Sequence, residues 1–336
     1  MTRRLLIFAL LASATIALLL LNVFFGAVDI PAADVADILL GHDVHDDSWR
    51  FIILESRLPQ AVTALLCGCS LAVCGLMLQA VFRNPLADPS ILGISSGAGL
   101  GVAFVMLLYG GSVSVGMLSI GGFATVLAAA FIGATAVTLL MFSLSSIIRS
   151  DAMLLIAGVM VGYLSSSIIV LLSYYASEEG LRAYTLWGMG NFASVSTERL
   201  PLFSIIAVVC LSASVLLVKS LNILSLGTLY AENLGVNTRQ LRGTVLIVTG
   251  ILTALTTSFC GPVAFIGLAV PHIARMALHT DDYRKLLPAT ILTGGGVAMA
   301  CNLACTMTPS GTMLPVNAVT PVIGAPVILY VMTKRR

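Results

Sequence analysis

The sequence predicts an all-α polytopic membrane protein with about ten transmembrane helices. Three observations predict it. Apolar residues make up 58% of the 336 residues and charged ones only 10%, with a mean hydropathy of +1.04, whereas soluble domains carry about a quarter charged residues. The apolar residues gather into ten runs of span-like length, and a helix needs roughly 20 such residues to cross the hydrocarbon core. Lys and Arg also fall unevenly between alternate connecting segments, as the positive-inside rule requires of a multi-pass chain. The net charge of +2 is too small to suggest nucleic acid as a partner. The seven Cys form no regular framework. Cys67, Cys69 and Cys74 lie inside an apolar run without His or acid, so they read as buried thiols and not as a metal box.

The first run, 5–25, follows Thr2-Arg3-Arg4. A secretory leader has a shorter apolar core and a small-residue cleavage site, so this run reads as a retained first span. The others are expected at 59–81, 91–108, 118–142, 152–174, 201–218, 241–260, 262–278, 287–307 and 315–333. The seventh and eighth nearly touch at Gly261-Pro262, a helix-breaking pair that suits a tight turn. An even number of spans puts both termini on one side. With the termini inside, inner segments carry thirteen Lys and Arg against four outside (Arg50, Arg57, Arg182 and Arg199). That bias sets both termini in the cytoplasm. The whole of 1–336 reads as one transmembrane domain.

Two outer segments exceed tight turns. Residues 26–57 hold seven acids before Arg57. His42 and His45 stand there at i, i+3, a spacing open to a metal, although a solvated loop explains them as well. Residues 175–200 hold Ser177-Glu178-Glu179 and Trp187-Gly188-Met189-Gly190-Asn191. A short helix is expected there, begun by Ser194 or Ser196 with Glu198 in its first turn. Such a piece can enter the membrane if protein or a cavity surrounds it.

The inner segment 219–242 is the longest polar interruption of the second half. Gly227-Thr228 can open a short helix and Leu234-Gly235 can close it. Leu226, Leu229, Tyr230 and Leu234 fall near helical spacing, with Glu232, Asn233 and Arg239 free to face water. An amphipathic helix between spans suits the docking of another protein, and a solvated connector has the same pattern.

No expected span contains Asp or Glu. Ion-coupled carriers usually keep an ionisable group at mid-membrane, so its absence argues against a secondary transporter, the main competing reading. No G-x-x-x-x-G-K-[ST] pattern is present, so the chain does not cradle ATP phosphates. Gly93-Ile94-Ser95-Ser96-Gly97 matches a serine-hydrolase elbow, but Gly93, Gly97 and Gly101 at four-residue spacing make a better helix-packing face. Gly188 to Ala193 fits a dinucleotide fingerprint without the strand it needs. In the fifth span Gly158, Gly162 and Ser166 stand four apart, with Ser165 and Ser173 near that side. Helix packing and a weakly polar substrate path both account for them.

Longer blocks are more specific. Arg57-Leu58-Pro59, Gly75-Leu76-Met77-Leu78-Gln79-Ala80 and Asn84-Pro85-Leu86-Ala87-Asp88-Pro89-Ser90-Ile91-Leu92-Gly93 come first. Leu234-Gly235-Val236, Gly261-Pro262-Val263-Ala264-Phe265-Ile266-Gly267-Leu268 and Pro271-His272-Ile273-Ala274-Arg275 follow. Together, from about residue 50 to the C-terminus, the chain closely resembles the FecCD-type permease subunits of ABC importers for iron-siderophores, haem and cobalamin. The resemblance implies the ten-helix type II importer fold and a permease that is not itself an enzyme. It implies a second permease copy, a cytoplasmic ATPase dimer that carries the ATP and Mg, and a periplasmic or lipid-anchored binding protein. It implies a translocation path that includes Ser165, Ser166, Ser173, Trp187, Met189 and Asn191. It implies ATPase coupling through Gly227, Tyr230, Ala231, Leu234 and Gly235, and an inner gate near Ser150, Asp151 and Ala152. Arg57 falls on a basic position that receives the binding protein's acids. The cobalamin permease has a second Arg where this chain has Gln60, and another basic docking position appears as Thr306. The gate has small hydroxyl residues in that permease, so Asp151 departs from the pattern.

Overall fold

The computed structural model describes residues 2–42, 46–109, 112–115, 118–148, 150–308 and 312–334. The first span is α1 (Thr2–Phe24). After it come α2 (Ala32–Leu40) and α3 (Asp47–Phe51), the latter capped by Asp46, whose carboxylate accepts from the Ser48 N–H at 2.8 Å. The chain then stays helical through a π-helical turn, Ile52–Arg57, into α4 (Leu58–Val81). The second span is thus longer than the expected 59–81, one rod over Asp47–Val81. Pro59 sits at the join; the widened turn before it makes room for a ring that would crowd the preceding carbonyl in a regular helix.

Helix α5 (Ile94–Tyr109) starts three residues later than expected. A turn over 90–93 precedes it, with Gly93 at φ +77°. The fourth span also moves. Ser112–Val115 (β1) and Leu118–Gly121 (β2) pair as an antiparallel hairpin in register Ser112↔Gly121, and α6 runs over Phe123–Ile147. The alternating Ser-Val-Ser-Val and Leu-Ser-Ile-Gly have the two-residue period of a strand, which hydropathy alone reads as span. Helix α7 (Asp151–Tyr175) matches the fifth span.

The outer helix expected from Ser194 or Ser196 is instead α8 (Glu178–Gly188). Ser177 caps it by accepting from the Gly180 N–H, with Glu178 and Glu179 in the first turn, where carboxylates suit the helix dipole. A 3-10 turn follows at Phe192–Ser194. The sixth span is bent by 47° between α9 (Leu200–Leu216) and α10 (Val218–Leu224). Then come α11 (Thr228–Asn233), α12 (Thr238–Cys260), α13 (Ile266–Leu278), α14 (Tyr283–Thr306) and α15 (Val316–Lys334). No tight turn forms at Gly261-Pro262: residues 261–264 run without regular structure before α13.

Among the described residues six helices are long and apolar enough to cross a bilayer, the bent pair makes a seventh, and three shorter apolar helices (Ile94–Leu108, Ile266–Leu278 and Val316–Tyr330) complete the ten. Two of them form the axis of the bundle. The apolar stretches of α4 and α12 are 83% buried, while that of α1 is 11% buried and that of α7 22%. All seven Cys are buried and unpaired.

Glycines let the axis helices touch. A Cβ on Gly68 would lie 2.2 Å from the Gly294 carbonyl oxygen of α14, and one on Gly75 only 1.8 Å from that of Gly267 in α13. The Gly97 and Gly101 face of α5 meets Gly133 and Ala129 of α6 in the same way, so the residues of the elbow-like motif pack helices. Gly93 stands outside that face, in the turn. Gly75→Ala is expected to destabilise the fold by about 1–3 kcal/mol, the usual cost of overpacking. Gly188→Ala, where a Cβ meets nothing within 4 Å, stays within about 0.5 kcal/mol. Thermal unfolding in mild detergent checks the contrast.

Candidate functional site

The polar interruption at 219–242 folds as its punctuation requires. Helix α11 is one short turn-and-a-half after Gly227, and its end is closed by Gly235 at φ +83°. The Val236 N–H reaches back to Ala231 O and the Gly235 N–H to Glu232 O, both at 2.9 Å. This is the six-to-one and five-to-two pairing of a glycine-closed helix. Of the apolar side, only Ala231 is buried. Leu226, Leu229, Tyr230 and Leu234 are 64%, 78%, 67% and 58% exposed, so the apolar face points away from its own bundle. Arg83, at the end of α4, donates to the Thr228 hydroxyl and fixes the start of α11.

Helix α12 carries this segment to the α6–α7 connection. Thr238 donates to Glu232 at 2.8 Å, tying α12 to α11. Arg239 donates to Ser146 O at 2.9 Å and Arg242 to Ile148 O at 3.1 Å. Arg242 also pairs with Asp151 at 3.0 Å. Ser150 caps α7 by accepting from the Met153 N–H, and Ala152 is exposed. The departure at Asp151 therefore has a partner: the gate candidates Ser150, Asp151 and Ala152 begin α7 directly against the first turn of α12. Cavities of about 440 and 450 Å³ flank that turn, one toward Leu217, Lys219 and Leu234, the other toward Phe142 and Ser146. Arg149, of the same connection, lies outside the described residues, as does His45; His42 pairs with Asp37 at 3.1 Å.

The path candidates divide. Ser165 is buried and, with Gly158 and Gly162, belongs to the side of α7 that lies against α5 and the turn before it; a Cβ on Gly158 would be 2.7 Å from Leu92 Cα. Ser166 is exposed, and Ser173 donates to its own helix at Ile169 O. Trp187, Met189 and Asn191 come together at the turn after α8, where three interrupted segments meet. The Asn191 N–H donates to Cys260 O at 2.8 Å, the Asn317 N–H to Met189 O at 3.1 Å and the Val316 N–H to Gly190 O at 3.3 Å. The Asn317 side chain completes the junction: its Oδ1 accepts from the Ala264 N–H at 3.1 Å, and its Nδ2 donates to Gly188 O at 3.2 Å and Pro262 O at 2.6 Å. Sequence reasoning passed over Asn317. An Asn at a helix start was the available signal, but its partners lie 53 to 129 residues away.

Two docking candidates are buried in this structure. Arg57 is 6% exposed and its guanidinium donates to Val23 O at 3.2 Å, Phe24 O at 2.8 Å and Val28 O, closing the end of α1. Gln60 is equally buried and donates to Asn302 at 2.8 Å; Asn302 donates to Asn22 at 2.7 Å, and Asn22 to Met299 O. Carbonyls at a helix end and amides inside a bundle need partners, and these two side chains supply them. Neither is presented to a docking protein as folded, whereas Arg50 and Arg182 are exposed. The connection after α4 holds another surprise. Asp88 is 7% exposed, accepting from the Ser90 N–H and hydroxyl, and its carboxylate abuts Gly267 of α13. Burial pushes its carboxyl above the ordinary range, partly offset by Ser90. The ten apolar runs of the sequence contain no acid, but this connection buries one against α13.

Comparison with known proteins agrees with this architecture. Residues 14–334 match the FecCD transport family. The chain belongs to that family. It is 32% identical over 293 residues to the vitamin B12 import system permease BtuC of Yersinia enterocolitica, covering 86% of this chain and 83% of that one. It is 31% identical over 320 residues to the hemin transport permease HmuU of Yersinia pestis, covering 95% and 94%. Its fold superposes on an inward-facing ABC transporter of metal-chelate type with a TM-score of 0.83 at 28% identity, over 98% of this chain and 99% of the other. It is thus a FecCD permease, a transport component with the type II ABC importer fold. PsaBC from Streptococcus pneumoniae shares the fold at a TM-score of 0.57 and 16% identity. For this FecCD chain, Asn317→Ala is expected to leave three partly buried backbone groups without their partner, at about 1–3 kcal/mol. Faster hydrogen exchange confined to 188–191 and 261–264 checks it.

Proposed function

We propose that two copies of this chain form the membrane path of an ATP-driven importer for a bulky iron chelate, haem or cobalamin. The observation that carries the proposal is the outward apolar face of α11, tied through α12 to the start of α7. A cytoplasmic ATPase dimer, holding the ATP and Mg, would cover Leu226, Leu229, Tyr230 and Leu234, an apolar set that water alone accommodates poorly. Gly227, Ala231 and Gly235 shape that handle, so 219–242 acts as the coupling loop within the single domain 1–336. Closure of the ATPase pushes α11; Thr238 and Glu232 pass the push to α12; Arg239 and Arg242 carry the 146–151 connection with it. Ser150, Asp151 and Ala152 then move as an inner gate.

Membrane orientation follows from charge. Thirteen of the seventeen Lys and Arg lie on the side of the termini, which places both termini and α11 in the cytoplasm of the bacterial inner membrane. A second copy of this chain is supported by α7, whose exposed side mixes Ser166 and Ser167 with Tyr174 and Tyr175, 81% and 80% exposed. Hydroxyls and aromatic edges suit another protein surface better than lipid tails. The path then runs along Ser166, Ser173, Met189 and Asn191, with Trp187 behind them and Ser165 holding α7 in place. Its contacts are few and neutral, so selectivity rests with the outer binding protein. That protein docks on Arg50 and Arg182 in place of Arg57 and Gln60. The substrate class is supported by the names of the B12 and hemin permeases that the chain resembles.

Uptake by the reconstituted complex should survive collapse of the proton gradient and stop without ATP; the reverse would favour the ion-coupled carrier. Leu234→Asp should keep the permease inserted and folded while ATP hydrolysis no longer drives uptake; wild-type uptake would sink the handle. Asp151→Arg should cut uptake at least severalfold while changing stability by less than about 1 kcal/mol, as for a half-exposed pair. Adding Arg242→Asp should restore uptake, and failure of the swap would show that the ion pair transmits nothing.

A further inference from the structure

The first and thirteenth helices part company at the end of the bundle where the chain begins. Helix α1 lies against α14 higher up: the Thr15 hydroxyl donates to Leu292 O at 3.1 Å, and Asn22 reaches Met299 O at 3.0 Å. Its far end is closed by Arg57. Below Thr15 no such bond holds it among the described residues. There a groove of about 720 Å³ opens between the start of α1 and the end of α13. Its walls are Leu5, Ile7, Phe8, Ala277 and Leu278, and its rim carries Arg4, His279 and Lys285.

Geometry and charge agree on what fits. The walls are hydrocarbon, and they belong to span ends, so they lie at the depth of acyl chains. The rim residues Arg4 and His279 adjoin those walls at the helix ends, where headgroups begin. Arg4 is exposed, and exposed Arg284 adjoins Lys285. Two carboxylates are nearby, and both are occupied. Asp281 pairs with Arg275 at 3.6 Å, and Asp282 caps α14 and faces Lys285 at 3.4 Å. Arg4 has no carboxylate partner among the ion pairs described, and the His279 imidazole stands beside it on the rim. A basic rim over an apolar groove between spans is the arrangement that holds anionic lipid.

We infer that this groove is a binding site for an anionic glycerophospholipid, its acyl chains between α1 and α13 and its phosphate at Arg4 and Lys285. The site uses only the groove's own geometry, so it stands whichever way the bundle faces; in the orientation proposed above it takes lipid from the cytoplasmic leaflet. Held there, the lipid fills the wedge that α1 leaves open, and it seats the first span against α13.

Native mass spectrometry of the purified full-length permease tests this, with phosphatidylglycerol and phosphatidylcholine of identical acyl chains as probes. The wild type is expected to retain phosphatidylglycerol in preference. Arg4→Gln and Lys285→Gln should each weaken that retention about fivefold, the effect of one cation at a membrane surface, and leave phosphatidylcholine unchanged. Ala277→Trp, which fills the wall, should weaken both lipids. Equal retention of the two lipids by the wild type would overturn the site, as would a doubly substituted protein that holds phosphatidylglycerol undiminished. A photoreactive benzophenone side chain placed at Leu5 in native membranes should yield a lipid adduct; an adduct to a polypeptide instead would assign the groove to a protein partner.

Discussion

A backbone that stops being helical inside a bilayer must find partners within the protein, because hydrocarbon offers none. This chain breaks its helices at three places that converge: after α8, between α12 and α13, and at the start of α15. Each break frees carbonyls and N–H groups, and the junction returns them to one another. Asn317 is suited to the task because a carboxamide both donates and accepts, and here it serves Gly188, Pro262 and Ala264 at once. A Leu there would bury as well but would orphan all three. The turn at Trp187 to Asn191 owes its place to that amide and to the backbone bonds beside it.

The same constraint governs how the helices pack. Lipid tails are as apolar as Leu, so burying Leu against Leu gains little in a membrane. What draws α4, α13 and α14 together is close backbone approach, bought by Gly68, Gly75, Gly267 and Gly294. The polar chain of Gln60, Asn302 and Asn22 adds hydrogen bonds between α4, α14 and α1 at the outer end. At the inner end α1 has no equivalent, and that is where it separates from α13. The axis is therefore tight and the periphery looser.

Much of this was legible in the sequence. Ten apolar runs, the capping glycines of α11 and the helix-packing role of Gly97 and Gly101 are local patterns, and local patterns survive into the structure. Errors arose where hydropathy cannot distinguish conformations: β2 reads as span, and residues 47–57 read as connector although they continue α4. The burial of Arg57 and Gln60 was illegible for a different reason. A residue's type and position along the chain do not reveal which distant carbonyl it will meet, and Gln60 finds its partner 242 residues away. Ser177 outcompetes Ser194 and Ser196 as a helix start because two acids follow it in the first turn.

Under the proposed mechanism, magnitudes decide how a handle at α11 and a gate at the start of α7 would divide their labour. Driving a two-state gate from one side to the other needs about 5.5 kcal/mol of differential binding. The Arg242–Asp151 pair is partly open to water, and such pairs contribute about 0–1 kcal/mol. It cannot be the lock. Under that mechanism the larger share falls to the apolar face of α11, where exposed Leu226, Leu229 and Leu234 each offer about 1.5–3 kcal/mol on full burial, of which only the part that differs between the two states moves the gate. The pair's role is directional: it joins the end of the lever to the segment that must move, so that energy gained at one end of α12 is not lost in bending the connection. Cavities on both sides of the first turn of α12 leave it room to swing, while the close-packed remainder of that helix provides the pivot. A lever of this kind works only if its two attachments outlast the stroke, and two arginines on successive turns, each bonded to a carbonyl of the same connection, hold more reliably than one.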